Sequence, residues 1–421
     1  MTIIRRLFIL SWFLILLVGC APAPNNSNTT VSTQPSPSPS ASPSPAIIET
    51  ASVQITLPLL DALLSDQKFV ERVKQNLKLS DQQMEELKRV ASADVTRLRE
   101  TNAEDLDGIG TDAPARAEEQ LRSTLGEEKA RALTSLANEY WARGDTSDGS
   151  TDTVQMLKGP NAVPTDTRVI VNIPAFRMDL FQDGSLVKSY KVGIGYPQFP
   201  LPQGLRKAQQ IIFNPTWTPP DSPWVAKMKN VAPGQTVEAG DKDNPLGPIK
   251  IPIGLPSLIH GGKSPAKIGK FASHGCVGLT TPQIEDFAVL LGKASDTPDV
   301  ATRMDSYLEN KEKTQTVKLN QTVPVELRYE TIVLEDGKLH IYKDVYAQDT
   351  NTEENLRKVL EAHGLKLEDL PEQTEILNAL KDVKKETVID LSPVAQKGYP
   401  APVDLDTGNA DKRGSKPRIK S

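Results

Sequence analysis

From Ile47 to Gly144 the apolar residues recur at helical steps. Leu60, Leu63, Val70, Val73 and Leu77 keep that spacing, and Met84, Leu87, Ala91, Val95 and Leu98 keep it at intervals of three or four. Ser80 with Gln83 reads as a capping box opening the second run. Leu121, Leu125, Leu133, Leu136 and Tyr140 predict a further helix beyond the break at Asp107-Gly108-Ile109-Gly110. Gly144 to Ser150 is a linker by composition.

From Thr167 the pattern changes to that of strands. Val169 to Ile173 and Arg177 to Phe181 are two of them, and Asp183-Gly184 turns the chain back into Leu186 to Gly193. Ile211 to Phe213 predicts a short buried strand, and Asp336-Gly337 marks a second hairpin between Val323–Leu334 and Leu339–Tyr346. This stretch predicts a β-sandwich or barrel-like domain. Asn355 to Lys385 returns to helical spacing, with Leu356, Val359 and Leu360 in one turn. Lys397 to Ser421 is polar and reads as loose.

The first residues read as processing sequence. Arg5 and Arg6 precede an apolar run from Leu7 to Val18, too short for the about 20 residues of a membrane span and suited to a secretory signal. Leu17-Val18-Gly19-Cys20 resembles a bacterial lipobox. The resemblance implies cleavage before Cys20 and lipidation of its thiol. Ala21, in place of Asp, implies the outer membrane in a Gram-negative cell. The Pro/Ser tract that follows has almost nothing to bury, and as an extended tether it would reach roughly 80 Å.

Charge and cysteine content narrow the function. The chain has 421 residues, and 49 Lys+Arg against 54 Asp+Glu leave a net charge of −5, which argues against a nucleic-acid partner. Two cysteines, Cys20 and Cys276, exclude a disulfide framework and a Cys-clustered zinc site.

Ser273-His274-Gly275-Cys276 is the most informative run. An exported chain that keeps a lone thiol beside His and Gly has a candidate nucleophile, because a thiol attacks as thiolate and an imidazole is its natural base. Gly275 permits a tight turn that aims N–H groups at an oxyanion. Two histidines compete as base. His274 lies two residues from Cys276, and His260 in Ile259-His260-Gly261-Gly262 can return beside it through the loop 263–272. Spacing alone leaves both open. A core-filling cysteine does not suit polar neighbours, and a metal site of His260, His274 and Cys276 lacks a supporting motif. His340, on a strand, is expected to face solvent, and His363 to end a helix.

Ile259-His260-Gly261, Ile268-Gly269 and Ser273-His274-Gly275-Cys276-Val277 resemble the catalytic signature of the L,D-transpeptidase (YkuD) family. The interval from His260 to His274, with Ile268-Gly269 inside it, suits the ErfK/YbiS/YcfS/YnhG branch. Val171-Asn172-Ile173-Pro174, Pro202-Gln203-Gly204, Asn214 to Pro220 and Asn244-Pro245-Leu246-Gly247 resemble the same branch.

The resemblance implies Cys276 as nucleophile and His260 as base, oriented by a backbone carbonyl. Ser273 and His274 would shape the turn, and the N–H groups of Gly275 and Cys276 would line an oxyanion hole. Gly261, Gly262 and Gly278 would border the substrate. The substrate would be a peptidoglycan tetrapeptide stem, with no metal or cofactor, and the product a 3→3 cross-link. Water as acceptor would make the protein an L,D-carboxypeptidase, and loss of chemistry a wall-binding lipoprotein.

Gly278 departs from the pattern, which commonly has Arg or Asn there. Lys263, Lys267, Lys270 and Arg206 are the cations that could stand in.

The chain thus reads as an α+β multidomain protein of the cell envelope. It comprises a signal at 1–19, a lipidated tether at 20–46, and a helical domain at 47–144. A mainly-β catalytic domain at 165–346, a helical extension at 352–390 and a loose tail at 397–421 follow.

Overall fold

The computed structural model describes residues 55–101, 113–143, 155–219, 225, 228–254, 257–395 and 398–409. The signal, Cys20, the tether and the linker 144–150 lie outside them. Among the described residues no helix is long and apolar enough to cross a membrane.

Five helices come first: α1 Leu57–Leu64, α2 Gln67–Leu77, α3 Asp81–Thr101, α4 Ala113–Leu125 and α5 Glu127–Arg143. Leu60, Phe69, Val73, Met84, Leu87, Leu121 and Leu133 fill their shared core. The Ser80–Gln83 box forms in both directions, Ser80 N–H to Gln83 Oε1 and Gln83 N–H to Ser80 Oγ, each at 3.2 Å. The single helix expected over Leu121–Tyr140 is two, because Gly126 sits at φ +78° and turns the chain between α4 and α5. Thr56 caps α1 and also donates to the Gln198 carbonyl at 2.8 Å, tying the helices to the β-rich part.

The strands are β1 Arg168–Asn172, β2 Arg177–Gln182, β3 Ser185–Lys191, β4 Ile194–Gly195, β5 Gly204–Phe213, β6 Ile249–Pro252, β7 Leu258–His260, β8 Phe271–Ser273 and β9 Val277–Gly278. Helices α6 Thr281–Ala294 and α7 Val300–Glu309 follow, then β10 Gln315–Arg328. The main sheet runs β3-β2-β1-β10-β5-β6-β7-β9, with β4 and β8 paired apart from it. The β1–β10 and β7–β9 pairs are parallel. Asp183 and Gly184 both take positive φ, as the tight hairpin requires.

Two expectations change here. Ile211–Phe213 is the end of the ten-residue β5, whose first half pairs with Val323–Leu327. The β-rich domain also holds α6 and α7. The signal for α6 lay in the sequence: Thr280 and Gln283 cap each other, Pro282 sits in the first turn, and Ile284, Phe287, Ala288 and Leu291 are buried on one stripe.

β11 Ile332–Glu335 and β12 Lys338–Ile341 do not join the main sheet. They pair with each other, and β12 pairs with β13 Thr387–Asp390, so the extension expected to be helical closes as a strand. Its helices, α8 Glu353–Ala362 and α9 Gln373–Ala379, cover that small sheet through Leu356, Leu360 and Ile376. His363 caps α8, as expected. His340 departs from expectation: its Nδ1 lies 2.8 Å from Glu386, and Glu335 is close to its other nitrogen.

The tail expected to be loose is ordered over 398–409. Ser189 and Lys191 donate to the carbonyls of Val403 and Asp406, so this segment covers the open edge of β3.

Candidate active site

The site is built where β7 and β9 lie side by side. Their register sets Ile259 opposite Val277 and His260 opposite Gly278. Leu279 N–H donates to the His260 carbonyl at 2.8 Å, and Gly278 exchanges two 2.8 Å hydrogen bonds with Gly193 on its other side. β9 is therefore clamped between β7 and the strand end leading into β4. Cys276 is the residue that leads from the turn into β9, one before Val277.

The turn before β9 is held by its own polar groups. Gly275 has φ +92°, which a side chain would strain. Its carbonyl accepts from Ser257 Oγ at 2.8 Å. Ser273 Oγ accepts from Cys276 N–H at 3.0 Å. The Cys276 N–H, expected as an oxyanion donor, is thus engaged, whereas that of Gly275 is not bonded in this way. Gly195 lets the turn approach, since a Cβ there would stand 3.1 Å from Gly275 N and 2.2 Å from the Phe199 carbonyl. Sequence reasoning missed this support, although Val192-Gly193-Ile194-Gly195 after a strand is a sign of close backbone approach.

His260 is buried, with Nδ1 2.8 Å from the Gly261 carbonyl oxygen. A carbonyl only accepts, so Nδ1 carries the proton and the neutral ring keeps its lone pair on Nε2. Burial pulls the His260 pKa down to about 3, and the nearby Lys263 charge adds to that, against the backbone of Gly261 and Leu246. Burial also pushes the Cys276 thiol up, while the Leu258 backbone and Lys263 draw it down. Cys276 is a free, partly exposed cysteine.

His274 is turned into an aromatic corner, its ring 4.7 Å from Phe199 and 5.4 Å from Tyr196. Of the two candidate histidines, His260 stands on the strand paired with β9, which Cys276 leads into. The other glycines have packing reasons. A Cβ on Gly261 would meet Ile284 at 2.6 Å, and Gly262, at φ +78°, lies against the Gly247 backbone. Among the described residues no group of three His, Cys, Asp or Glu is placed to hold a metal.

A cleft of about 1310 Å³ lies elsewhere, between α5 and the ends of β5 and β10, lined by Arg131, Asn138, Glu326, Arg328 and Glu330 among others. Neither Cys276 nor His260 lines it.

Residues 166–302 match the family model for YkuD, the L,D-transpeptidase catalytic domain. No curated protein matches the chain. Among solved structures, an L,D-transpeptidase from Mycobacterium smegmatis is 15% identical, over 39% of this chain and 58% of that one, at a TM-score of 0.24. One from Mycobacterium tuberculosis H37Rv is 13% identical, over 38% and 57%, at 0.23. The catalytic domain of an E. faecium L,D-transpeptidase is 18% identical, over 40% of this chain and 100% of that domain, at 0.24. This chain therefore spans under two thirds of the two mycobacterial proteins. The family match, not these likenesses, assigns the catalytic domain.

Proposed function

We propose that the L,D-transpeptidase domain acts on peptidoglycan stem peptides in the cell envelope, through a thioester on Cys276. The observation that carries this is the pairing of β7 with β9. It sets His260, a buried imidazole whose Nδ1 is already committed to the Gly261 carbonyl, opposite Gly278, two residues past Cys276.

His260 Nε2 takes the thiol proton as the sulfur attacks the carbonyl between the third residue and the terminal D-Ala. Charge develops on that oxygen, and the Gly275 N–H serves as a backbone donor to it. The C–N bond breaks, the proton passes from His260 to the leaving amine, and D-Ala departs. An amine of a second stem then attacks the thioester, giving a 3→3 cross-link and restoring the thiol. Ser273, Gly275 and His274 shape the turn, and Gly261, Gly262 and Gly278 border the reacting bond through backbone. Cys20 carries the lipid, and the Pro/Ser tract spans from the membrane, the outer one in a Gram-negative cell, towards the wall.

The test is incubation with defined tetrapeptide muropeptides and mass spectrometry of the products. D-Ala release with cross-linked dimer supports the transpeptidase. Release with only trimmed tripeptide makes the protein a carboxypeptidase. Cys276→Ala and His260→Ala should each remove nearly all release, and no release by the wild type would leave a wall-binding protein.

A further inference from the structure

We propose that Lys263 is the working cation of this site: its side chain fills the room over Gly278, and its ammonium stabilises the Cys276 thiolate. The inference deepens the proposed function and rests on that reading only for the reaction served.

The position follows from the strand pair. Gly278 stands opposite His260 in register and lies two residues past Cys276. A Cβ on Gly278 would stand 2.8 Å from Lys263 Cγ, 2.9 Å from Cε and 3.3 Å from Cδ. The lysine stem therefore lies where a side chain from position 278 would start. Its root is fixed as well, since Lys263 N–H donates to the Leu279 carbonyl at 3.0 Å. Glycine at 278 is then no loss of function: it is what lets Lys263 in.

The charge is not balanced locally. No carboxylate pairs with Lys263 among the described residues. The groups facing the sulfur's surroundings are His260 on β7, Lys250 on β6, Lys267 in the same loop, and Tyr196. Lys250 Nζ is turned to the Thr216 carbonyl at 3.2 Å, and Lys267 lies over the Tyr196 ring, 3.4 Å from its hydroxyl. Burial makes the Lys263 ammonium costly, and the Cys276 charge is what favours it. Arg206 is no substitute. It lies on β5 opposite Val325 and beside Ala208, facing the core. Lys270 is exposed at the loop's far end.

A cation here has a definite chemical effect. When the proton leaves Sγ for His260 Nε2, Lys263 keeps its own proton and attracts the anion left on sulfur. It also disfavours the imidazolium, which hastens return of that proton to the leaving amine.

The measurement is the pH dependence of Cys276 alkylation by iodoacetamide, located by peptide mass spectrometry on the full chain. Alkylation follows the thiolate. Lys263→Met keeps the stem over Gly278 and deletes the charge. It should raise the alkylation midpoint by about one pH unit and slow labelling at neutral pH about tenfold. Lys263→Arg should recover most of that loss, and the unfolding temperature of Lys263→Met should stay close to wild type. Lys263→Gln serves as a second neutral variant should the first fold poorly. Midpoints for Lys263→Met or Lys263→Gln that coincide with wild type would overturn the inference. A shifted midpoint in a protein that releases no D-Ala would support Lys263 while defeating the transpeptidase reading.

Discussion

The Ser273 hydroxyl holds both backbone groups of Cys276, accepting from its N–H at 3.0 Å and donating to its carbonyl at 2.5 Å. The serine is buried, so no water replaces it cheaply. One side chain thus fixes the direction in which the sulfur leaves the turn, and it also removes the Cys276 N–H from the donors open to an oxyanion.

Ser273→Ala should leave the Cys276 N–H and carbonyl without this partner. The expected loss of stability is about 1–3 kcal/mol, read by denaturant unfolding. D-Ala release should fall at least tenfold, because a displaced nucleophile loses alignment. Ser273→Thr, which keeps a hydroxyl on Cβ, should retain more activity than Ser273→Ala. Equal activity in wild type and Ser273→Ala would deny the hydroxyl this role.

The candidate turn was legible in the sequence because its residues are consecutive: Ser273, His274, Gly275 and Cys276. Choosing His260 over His274 was not legible from spacing. What separates their surroundings is a strand register between residues far apart in the chain, which sets His260 opposite Gly278, and the rings of Phe199 and Tyr196, against which His274 packs. The helices at the N-terminus followed from periodicity, whereas the split at Gly126 needed its positive φ. The strand β13 escaped because Thr387–Asp390 has only Ile389 buried, which is too weak a pattern to stand out. The ordering of 398–409 escaped because it rests on one buried side chain, Tyr399, and on hydrogen bonds to distant partners such as Ser189, Lys191 and Gln283, which leave no periodic pattern.

His260 carries a pH prediction. The ring is held neutral in the fold, with its pKa pulled from 6.5 to about 3, mainly by burial. The unfolded chain therefore binds a proton in that window that the folded chain does not. Its contribution to stability is fully present above about pH 6.5 and is lost as pH falls towards 3, with a slope approaching about 1.4 kcal/mol per pH unit. Wild type should lose stability on acidification from pH 7 to 4 more steeply than His260→Gln, read by denaturant titration. Parallel curves for the two would contradict the neutral, buried ring.

Arg206 is fully buried, and among the described residues none of its three guanidinium nitrogens has a hydrogen-bond partner. Burial alone pulls its pKa down to about 9. An unpaired buried charge costs more than the packing of its stem returns. Arg206→Met, which keeps much of that stem and drops the charge, should raise stability by about 1–4 kcal/mol. D-Ala release should remain, because Arg206 faces the core and not the sulfur. Loss of stability in Arg206→Met would mean that an anion meets the guanidinium in solution.

Gly278 gives the sharpest check on how the strand pair and the loop depend on each other. Its φ is not in the left-handed region, so the backbone accepts a side chain and only the contact with Lys263 opposes it. Even alanine places a carbon 2.8 Å from Lys263 Cγ, closer than such atoms approach, so the lysine stem must swing away. Gly278→Ala should then raise the Cys276 alkylation midpoint in the same direction as Lys263→Met, without touching any titratable group. The two changes act on one interaction, so the double variant should show no more than the larger single effect, whereas independent effects would add. Gly278→Arg displaces the lysine but brings its own guanidinium to the same side of β9, and its midpoint should fall back towards wild type. If Gly278→Ala leaves the midpoint unchanged, or if its effect adds in full to that of Lys263→Met, the glycine and the lysine are not partners.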